Sequence, residues 1–234
     1  MKRSEEKEMM DCSGHSPDLL ADDLRNLRRL NRYLNGSHSV LLAFERALGR
    51  APDKPISILD VGTGSADIPA AILAWSRHRK VPASIIGLEA ETTTARIAAE
   101  RSKTSPAIQI IQGDAAAPPF SPGTFDFVIA SQFLHHFSEA KIIALLHEWA
   151  ALARRAIVIS DLVRHPLAYH GARVLTRLTT RNVMTLIDAP LSVRRAFTLS
   201  EWRGLFRRAD IGAVEMFSVF PFRVAAAVRL GDNR

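Results

Sequence analysis

The sequence predicts an α/β protein with a doubly wound, mostly parallel sheet. Short apolar runs alternate with stretches of helical periodicity, which is the pattern of parallel strands joined by crossover helices. The length of 234 residues suits one such domain with additional helices, and an apolar content of 47% supports a full core. The predicted strands are residues 56–60, 83–89, 108–115, 125–131, 156–160, 214–219 and 222–228.

The remaining elements are predicted in chain order around these strands. Residues 1–16 are charged and read as a flexible N-terminal segment, with no apolar core that would make them a secretory leader. Residues 17–49 place apolar side chains three or four positions apart and predict a helical cover. Residues 50–160 form the predicted core, 162–198 a helical insertion that serves as a lid, and 199–234 a helix with a closing antiparallel hairpin.

A glycine-rich turn follows the first strand in the run Leu59-Asp60-Val61-Gly62-Thr63-Gly64. A strand, a tight turn and a helix start in this order direct backbone amides towards a ligand. Dinucleotide-binding turns place a third glycine three residues after the second, and this chain has Asp67 there. A carboxylate at that position disfavours a pyrophosphate, whereas the acid at the strand end, Asp60, can hold a cationic group.

Acidic residues also end the next two strands. Glu89 follows Gly64 at about the interval at which doubly wound folds place a ribose-binding carboxylate, and Asp114 follows after a similar interval. The carboxyl ends of parallel strands meet at one edge of a sheet, where ligands bind in open α/β folds. We therefore expect these acids and the glycine turn to share one site.

The run from Leu59 to Gly64 resembles motif I of the class I S-adenosyl-L-methionine (SAM) dependent methyltransferases, with Ala66 in place of a common third glycine. The resemblance covers about residues 55–165 and implies a Rossmann-like, seven-stranded sheet with an antiparallel C-terminal hairpin. It also implies SAM as the cofactor. Matched position by position, the cofactor-binding residues are Asp60, Gly62, Thr63 and Gly64 around the methionine part, Glu89 on the ribose, Asp114 and Ala115 at the adenine, and Ser131 in the wall near the sulfonium.

The segments 23–36, 160–164 and 192–198 are similar to bacterial methyltransferases encoded beside type III polyketide synthases, which are distant relatives of the ubiquinone and menaquinone methyltransferases. This resemblance implies a small aromatic acceptor of phenolic or quinol type, methylated on a hydroxyl or an activated carbon. A histidine suits the removal of a hydroxyl proton. The candidate catalytic residues are His136, which we prefer, and His135, with His165 and His170 as further candidates in the lid.

Composition bounds the remaining possibilities. The single cysteine, Cys12, excludes an intrachain disulfide, and no zinc-type cluster is visible, so the sequence predicts no metal site. The absence of a long apolar run and of a leader favours a cytoplasmic location. Eleven arginines between residues 154 and 208 predict a solvated basic face. That face, with Arg173 and Arg177 one helical turn apart, could also contact a membrane surface or a carrier.

Three other classes of function stay open. An RNA or protein methyltransferase would use the basic face, although arginines set among apolar residues are atypical of nucleic-acid binding, and we expect no nucleic-acid partner. A nicotinamide oxidoreductase is disfavoured by Asp67 and by the lack of a lysine four residues after either tyrosine. A SAM-binding protein without catalysis would lack an acceptor pocket. The sequence predicts no particular oligomeric state.

Overall fold

A seven-stranded sheet lies at the centre of the protein, in a computed structural model that describes residues 1–12, 14–49 and 54–231. The strand order is β3-β2-β1-β4-β5-β7-β6, and β7 runs antiparallel to both of its neighbours. This arrangement confirms the predicted fold class, including the C-terminal hairpin. The strands are β1 (Ile56–Val61), β2 (Ala83–Glu89), β3 (Ile108–Gln112), β4 (Phe125–Ser131), β5 (Ala153–Leu162), β6 (Ala213–Val219) and β7 (Arg223–Arg229).

Helices cover both faces of the sheet, which explains why the central strands read as nearly continuous apolar runs. The helices are α1 (Pro17–Tyr33), α2 (Gly36–Leu48), α3 (Asp67–Arg79), α4 (Thr92–Ser102), α5 (Glu139–Leu152), α6 (Pro166–Thr179), α7 (Val183–Arg195) and α8 (Leu199–Ala209). On one face, Phe44 of α2 packs edge-on against Phe127 of β4 and against Trp75 of α3. On the other, Trp149 of α5 and Trp202 of α8 are fully buried.

The predicted cover and the predicted lid form one helical layer. The buried Asp23 and Asn26 of α1 both bond to the hydroxyl of Thr185 in α7, at 2.6 and 3.1 Å. Helices α6 and α7 pack on each other and occupy the middle of the insertion predicted at residues 162–198. Buried polar contacts between segments about 160 residues apart in sequence therefore hold α1 against α7.

The N-terminal segment differs from the flexible tail that its composition predicts. The backbone amides of Met9 and Met10 donate to the two oxygens of Asp188, at 2.8 and 2.9 Å. The side chain of Glu8 is buried, and its residue is 1% exposed. The charged residues of this segment find partners on α7, which a reading of local composition does not reveal.

Other boundaries shift by a few residues. Strand β5 is longer than predicted, since it begins directly after α5 and extends to Leu162. Strand β3 ends at Gln112, three residues before the predicted end. The predicted start of the core at residue 50 and the last three residues of the chain lie outside the described residues. No described helix combines the length and the apolar character needed to cross a bilayer.

The basic face predicted in the insertion is only partly solvated. Arg164 and Arg195 are buried, at 9% and 6% exposure. By contrast, α6 exposes Leu167, Val174 and Leu178 to 67%, 57% and 79%. This exposed apolar stripe is compatible with the predicted membrane or carrier contact, which stays a prediction.

Candidate functional site

A cavity of about 820 Å³ opens at the carboxyl ends of the parallel strands. Its lining comes from three parts of the chain: the turns after β1, β2 and β4, the N-terminal segment with α1, and helices α6 and α7. The volume lies in the upper part of the range of about 300–1,000 Å³ that is usual for small-molecule pockets. The cavity therefore has room for a cofactor and a second small molecule side by side.

The glycine turn forms one wall of this cavity. Gly62 and Gly64 have φ values of 65° and 54°, in the left-handed region that favours glycine. A Cβ on Gly62 would lie 2.3 Å from Cδ2 of Phe133, so this glycine lets the turn pack against the ring. A Cβ on Gly64 would meet no atom within 4 Å, and it would instead occupy open space at the cavity wall. Gly64 thus keeps open a space at the cavity wall, which we call the cradle.

Asp60 is the buried acid of the site. It is 2% exposed, lines the cavity and accepts a hydrogen bond of 2.6 Å from the hydroxyl of Thr63. Burial, reinforced by the charges of Asp67 and Glu89, raises the pKa of Asp60 to about 8. Among the described residues no cationic side chain pairs with this carboxyl, so it is suited to receive a cationic group from a ligand.

Glu89 lies at the end of β2 and connects two cavity-lining turns. Its Oε2 accepts from the backbone amide of Gly64 at 2.9 Å, and its Oε1 accepts from the amides of Ala90 and Glu91. Burial raises the pKa of Glu89, although these three amides partly offset the effect. The carboxylate is thereby held in one orientation beside Gly64, as the proposed contact with a ribose requires.

The remaining predicted cofactor-binding residues, Ser131, Asp114 and Ala115, differ in whether they line the cavity. Ser131 lines the cavity, and its buried hydroxyl has no hydrogen-bond partner among the described residues. Asp114 is exposed beyond the end of β3, where it accepts from the amide of Ala116 at 2.8 Å. Ala115 is buried, and its carbonyl accepts from the indole of Trp149. Asp114 and Ala115 are not among the residues that line the cavity, and their adenine-binding role stays a prediction.

The two candidate catalytic histidines lie on a short 3-10 turn, Leu134–His136, directly after β4. Both line the cavity, and their rings lie 4.4 Å apart. Nδ1 of His135 is 2.6 Å from Oδ1 of Asp161, at the end of β5. Nδ1 of His136 is 3.0 Å from a carboxylate oxygen of Asp11. Each ring is therefore oriented by an acid, and each leaves Nε2 on the opposite side.

Glu8 completes this histidine cluster from the N-terminal segment. Its Oε1 lies 3.5 Å from Nε2 of His135, and its Oε2 lies 4.0 Å from Nε2 of His136. Burial disfavours charge on His135, but the carboxylates of Asp161 and Glu8 outweigh it and raise the pKa of its imidazole. Sequence reasoning missed Glu8, because 127 residues separate it from His135 and nothing in the charged N-terminal run distinguishes it from its neighbours.

Two further arginines hold the turn in place. Arg195 donates to the carbonyl of His136 at 2.7 Å, and Arg3 donates to the carbonyls of His135 and Phe137 at 3.0 and 2.8 Å. The Arg195 guanidinium also lies 3.7 Å from Glu8. Arg195, one of the arginines counted in the insertion, therefore lies inside the protein and fixes the backbone of the histidine turn.

Asn31 of α1 connects the cover helix to the floor of the cavity. Its amide donates to Asp67 at 3.1 Å, and its side-chain oxygen accepts from Gln132 and from Arg223. Arg223 is buried, lines the cavity and has one guanidinium nitrogen, Nη1, without a partner among the described residues. Neither Asn31 nor Arg223 was identified from the sequence, where both resemble ordinary surface residues.

Comparison with known proteins places this site in context. Residues 58–156 match a family profile described as a methyltransferase domain. A comparison with curated proteins finds no match. This result leaves the family profile and the solved structures as the points of reference.

Several solved structures share the fold. A SAM-dependent methyltransferase from Aquifex aeolicus is 15% identical over 93% of this chain and 100% of its own, with a TM-score of 0.64. Human N-acetylserotonin methyltransferase, solved in complex with SAM, is 16% identical over 92% of this chain and 57% of its own, with a TM-score of 0.68. An O-methyltransferase family 2 protein from Planctomyces limnophilus, solved with apigenin, is 18% identical over 94% of this chain and 63% of its own, with a TM-score of 0.64.

These findings agree with the glycine turn and the strand-end acids described above. At such identities the solved structures establish the fold, and the family profile covers the strands and turns that carry the cofactor side of the cavity. The predicted cofactor, SAM, is supported by the same match. Residues 58–156 thus match a methyltransferase-domain profile, and the chain has the Rossmann-like fold of the solved methyltransferases compared above.

Proposed function

We propose that this protein transfers the methyl group of SAM to a hydroxyl or an activated carbon of a small aromatic acceptor of phenolic or quinol type. The observation that carries the proposal is that one cavity is lined by the strand-end acids, by two histidines and by apolar side chains. The apolar lining includes Leu20, Leu24, Leu27, Phe133, Phe137 and Leu175. A lining of apolar side chains with a few charged groups suits a charged cofactor and a flat apolar acceptor.

The strand-end acids and the glycine turn of the cavity fit SAM. The buried carboxyl of Asp60 meets the requirement for a partner of the ammonium group, and Glu89 is fixed where a ribose would lie. The open space beside Gly64 leaves room for the methionine part of SAM. The hydroxyl of Ser131, which has no partner among the described residues, offers a hydrogen bond at the same wall. Asp67, at the start of α3, disfavours the pyrophosphate of a nicotinamide cofactor at this helix.

SAM supplies a methyl group that its sulfonium already activates, so the protein mainly has to align the acceptor. Correct orientation in a well-ordered site can contribute about 7–11 kcal/mol. Phe133 and Phe137 pack edge-on at 5.0 Å beside the histidine turn and present aromatic surface to a flat acceptor. Helices α6 and α7 line the cavity through residues such as Leu175 and Val193, which supports a role for them as the lid that excludes water.

An oxygen acceptor must also lose a proton, and Nε2 of His136 is our first candidate for receiving it. His135 is the second candidate, but the carboxylates of Asp161 and Glu8 raise the pKa of its imidazole, so near neutral pH it must first give up a proton. Each Nδ1 is held by an acid, which fixes the ring in the manner of other acid–histidine pairs. The side chain of His136 is 14% exposed and that of His135 3%. The greater exposure of His136 supports our preference for it, because a proton must finally reach solvent.

The test combines binding with turnover. We expect calorimetry to detect S-adenosylhomocysteine with a micromolar dissociation constant, lost in Asp60→Ala and Glu89→Ala, with NAD as a control that does not bind. Methyl-labelled SAM would then be offered with resorcinol, catechol, hydroquinone and their alkylated forms. Transfer of the labelled methyl group to at least one of these phenols supports the proposal. Cofactor binding without label in any phenol would exclude the proposed acceptor class, and no cofactor binding would overturn the whole assignment.

A further inference from the structure

Three possible ligand atoms converge where the N-terminal segment meets the histidine turn. One carboxylate oxygen of Glu8 and one ring nitrogen each of His135 and His136 lie within 4.8 Å of one another. The shortest approach, from Glu8 to Nε2 of His135, is 3.5 Å, which is too long for a good hydrogen bond. The three residues come from two distant segments of the chain. Oε1 of Glu8 has no hydrogen-bond partner among the described residues.

The outer side of each imidazole is occupied by an acid. Asp161 binds Nδ1 of His135, and Asp11 binds Nδ1 of His136. Histidines that ligate metals almost always donate their second ring N–H to such a partner, which fixes the tautomer and leaves the other nitrogen free to coordinate. Both histidines of the pair therefore have the orientation that a metal site requires.

The unpaired oxygen of Glu8 is an independent observation. Glu8 is 1% exposed, its Oε2 accepts from the Ser192 hydroxyl at 2.9 Å, and its Oε1 has no hydrogen-bond partner among the described residues. A buried carboxylate oxygen without a partner is costly, by about 1–3 kcal/mol or more. Arg195 lies 3.7 Å away and directs its hydrogen bonds to backbone carbonyls instead. Glu8 thus points to a cation that would satisfy it.

The dimensions and charges suit a small divalent ion. Zn²⁺ binds histidine nitrogen at about 2.0–2.1 Å and carboxylate oxygen at about 2.0–2.2 Å, so tetrahedral ligand atoms lie about 3.4 Å apart. Nε2 of His135 lies 3.5 Å from Oε1 of Glu8, close to this separation. The ligand atom of His136 lies within 4.8 Å of the other two and would move inward on binding. Around the cluster, the carboxylates of Glu8, Asp11, Asp161 and Asp188 outnumber the guanidiniums of Arg3, Arg195 and Arg223, which favours a cation. Binding of the ion would displace the proton that the carboxylates favour on His135.

We propose that Glu8, His135 and His136 bind a divalent transition-metal ion, with Zn²⁺ as the best fit, and leave a fourth position open towards the cavity. Two histidines and one glutamate with an open position form a known type of zinc site. An acceptor oxygen could coordinate at the fourth position, where the metal would lower the pKa of its hydroxyl. A bound ion would occupy both Nε2 lone pairs, so the acceptor proton would then leave by another route.

The test measures metal binding on the full chain, without any histidine tag and after removal of bound metal with a chelator. We expect calorimetry with Zn²⁺ alone to give one site per chain, and Co²⁺ to show the intense visible absorption of four-coordinate cobalt. Glu8→Gln and His136→Ala should each weaken Zn²⁺ by at least about 10- to 100-fold, the range typical even for losses in the outer shell. His147→Gln, an exposed histidine on α5, should bind as the parent does.

Binding of S-adenosylhomocysteine is measured on each variant to separate this proposal from the proposed function. Glu8→Gln and His136→Ala should retain that binding, which also shows that they are folded. Absence of a stoichiometric Zn²⁺ site in the parent chain would overturn the metal proposal, whatever the cofactor result. Zn²⁺ binding of equal strength in both variants and the parent would also overturn it, since the ion would then lie on other surface groups.

Discussion

The affinity of the cofactor site should depend on pH through Asp60. The pKa of this buried carboxyl is about 8 in the free protein, so below that pH it is mostly protonated and neutral. A ligand ammonium binds its carboxylate, and the proton must leave first. Affinity should therefore fall as the pH falls below about 8, and each further pH unit costs a factor of about ten, or about 1.4 kcal/mol.

Calorimetry with S-adenosylhomocysteine measures this directly. Between about pH 8 and about pH 6 we expect the dissociation constant to rise about 50-fold, because the protonated share of Asp60 grows from half to nearly all. Titrations in two buffers of different ionisation enthalpy should show about one proton released on binding near pH 6.5. Asp60→Asn should bind weakly and with no such slope.

Adenosine serves as the matched ligand control, since it lacks the ammonium but retains the ribose. Burial also raises the pKa of Glu89, and any pH dependence from that group would appear with adenosine as well. A dissociation constant for S-adenosylhomocysteine that stays flat from pH 8 to pH 6 would refute the reasoning about Asp60. An equal slope in Asp60→Asn would assign the proton to another group.

Three substitutions test packing, two in the glycine turn of the site and one in the core. Gly64→Ala should reduce S-adenosylhomocysteine affinity at least tenfold by filling the cradle, while backbone strain lowers stability by about 1–2 kcal/mol. Gly62→Ala should be less stable than Gly64→Ala in thermal melts, because its Cβ also collides with Phe133, and equal melting temperatures would contradict this. Phe44→Ala should cost about 3–5 kcal/mol in urea unfolding, and a loss below about 1 kcal/mol would show that its contacts contribute little. Gly171→Ala, with open space on α6, is the control and should be unchanged or slightly more stable.

The fold could be predicted because its determinants are local in sequence. The apolar runs that became β1, β2 and β4 have the length and composition of buried parallel strands, and the observed sheet confirms them. The glycine turn is equally local, since Gly62 and Gly64 adopt the positive φ values for which glycine is needed. Boundaries were less exact, as at β3, because hydrogen bonding rather than composition decides where a strand ends.

The acceptor side could not be predicted to the same depth, because long-range contacts assemble it. Glu8 was assigned to a flexible tail, and only the folded chain brings it to His135. Asp161 directly follows the predicted fifth strand, and its role in orienting His135 depends on the neighbouring turn. Arg195 was counted with a solvated basic face and proved to be buried. Charge counts along a sequence do not distinguish these cases.

The origin of the cavity walls has a consequence for how this protein could diverge. The turns that we assign to the cofactor lie within residues 58–156, as does the histidine turn, whereas α1, α6, α7 and the N-terminal segment lie outside that span. Mutations in these outer segments could change the accepted molecule while the cofactor turns stayed intact. We therefore expect that homologues with nearly the same central sheet could methylate different compounds, and that substrate assignments transfer only where residues 1–34 and 162–195 also agree.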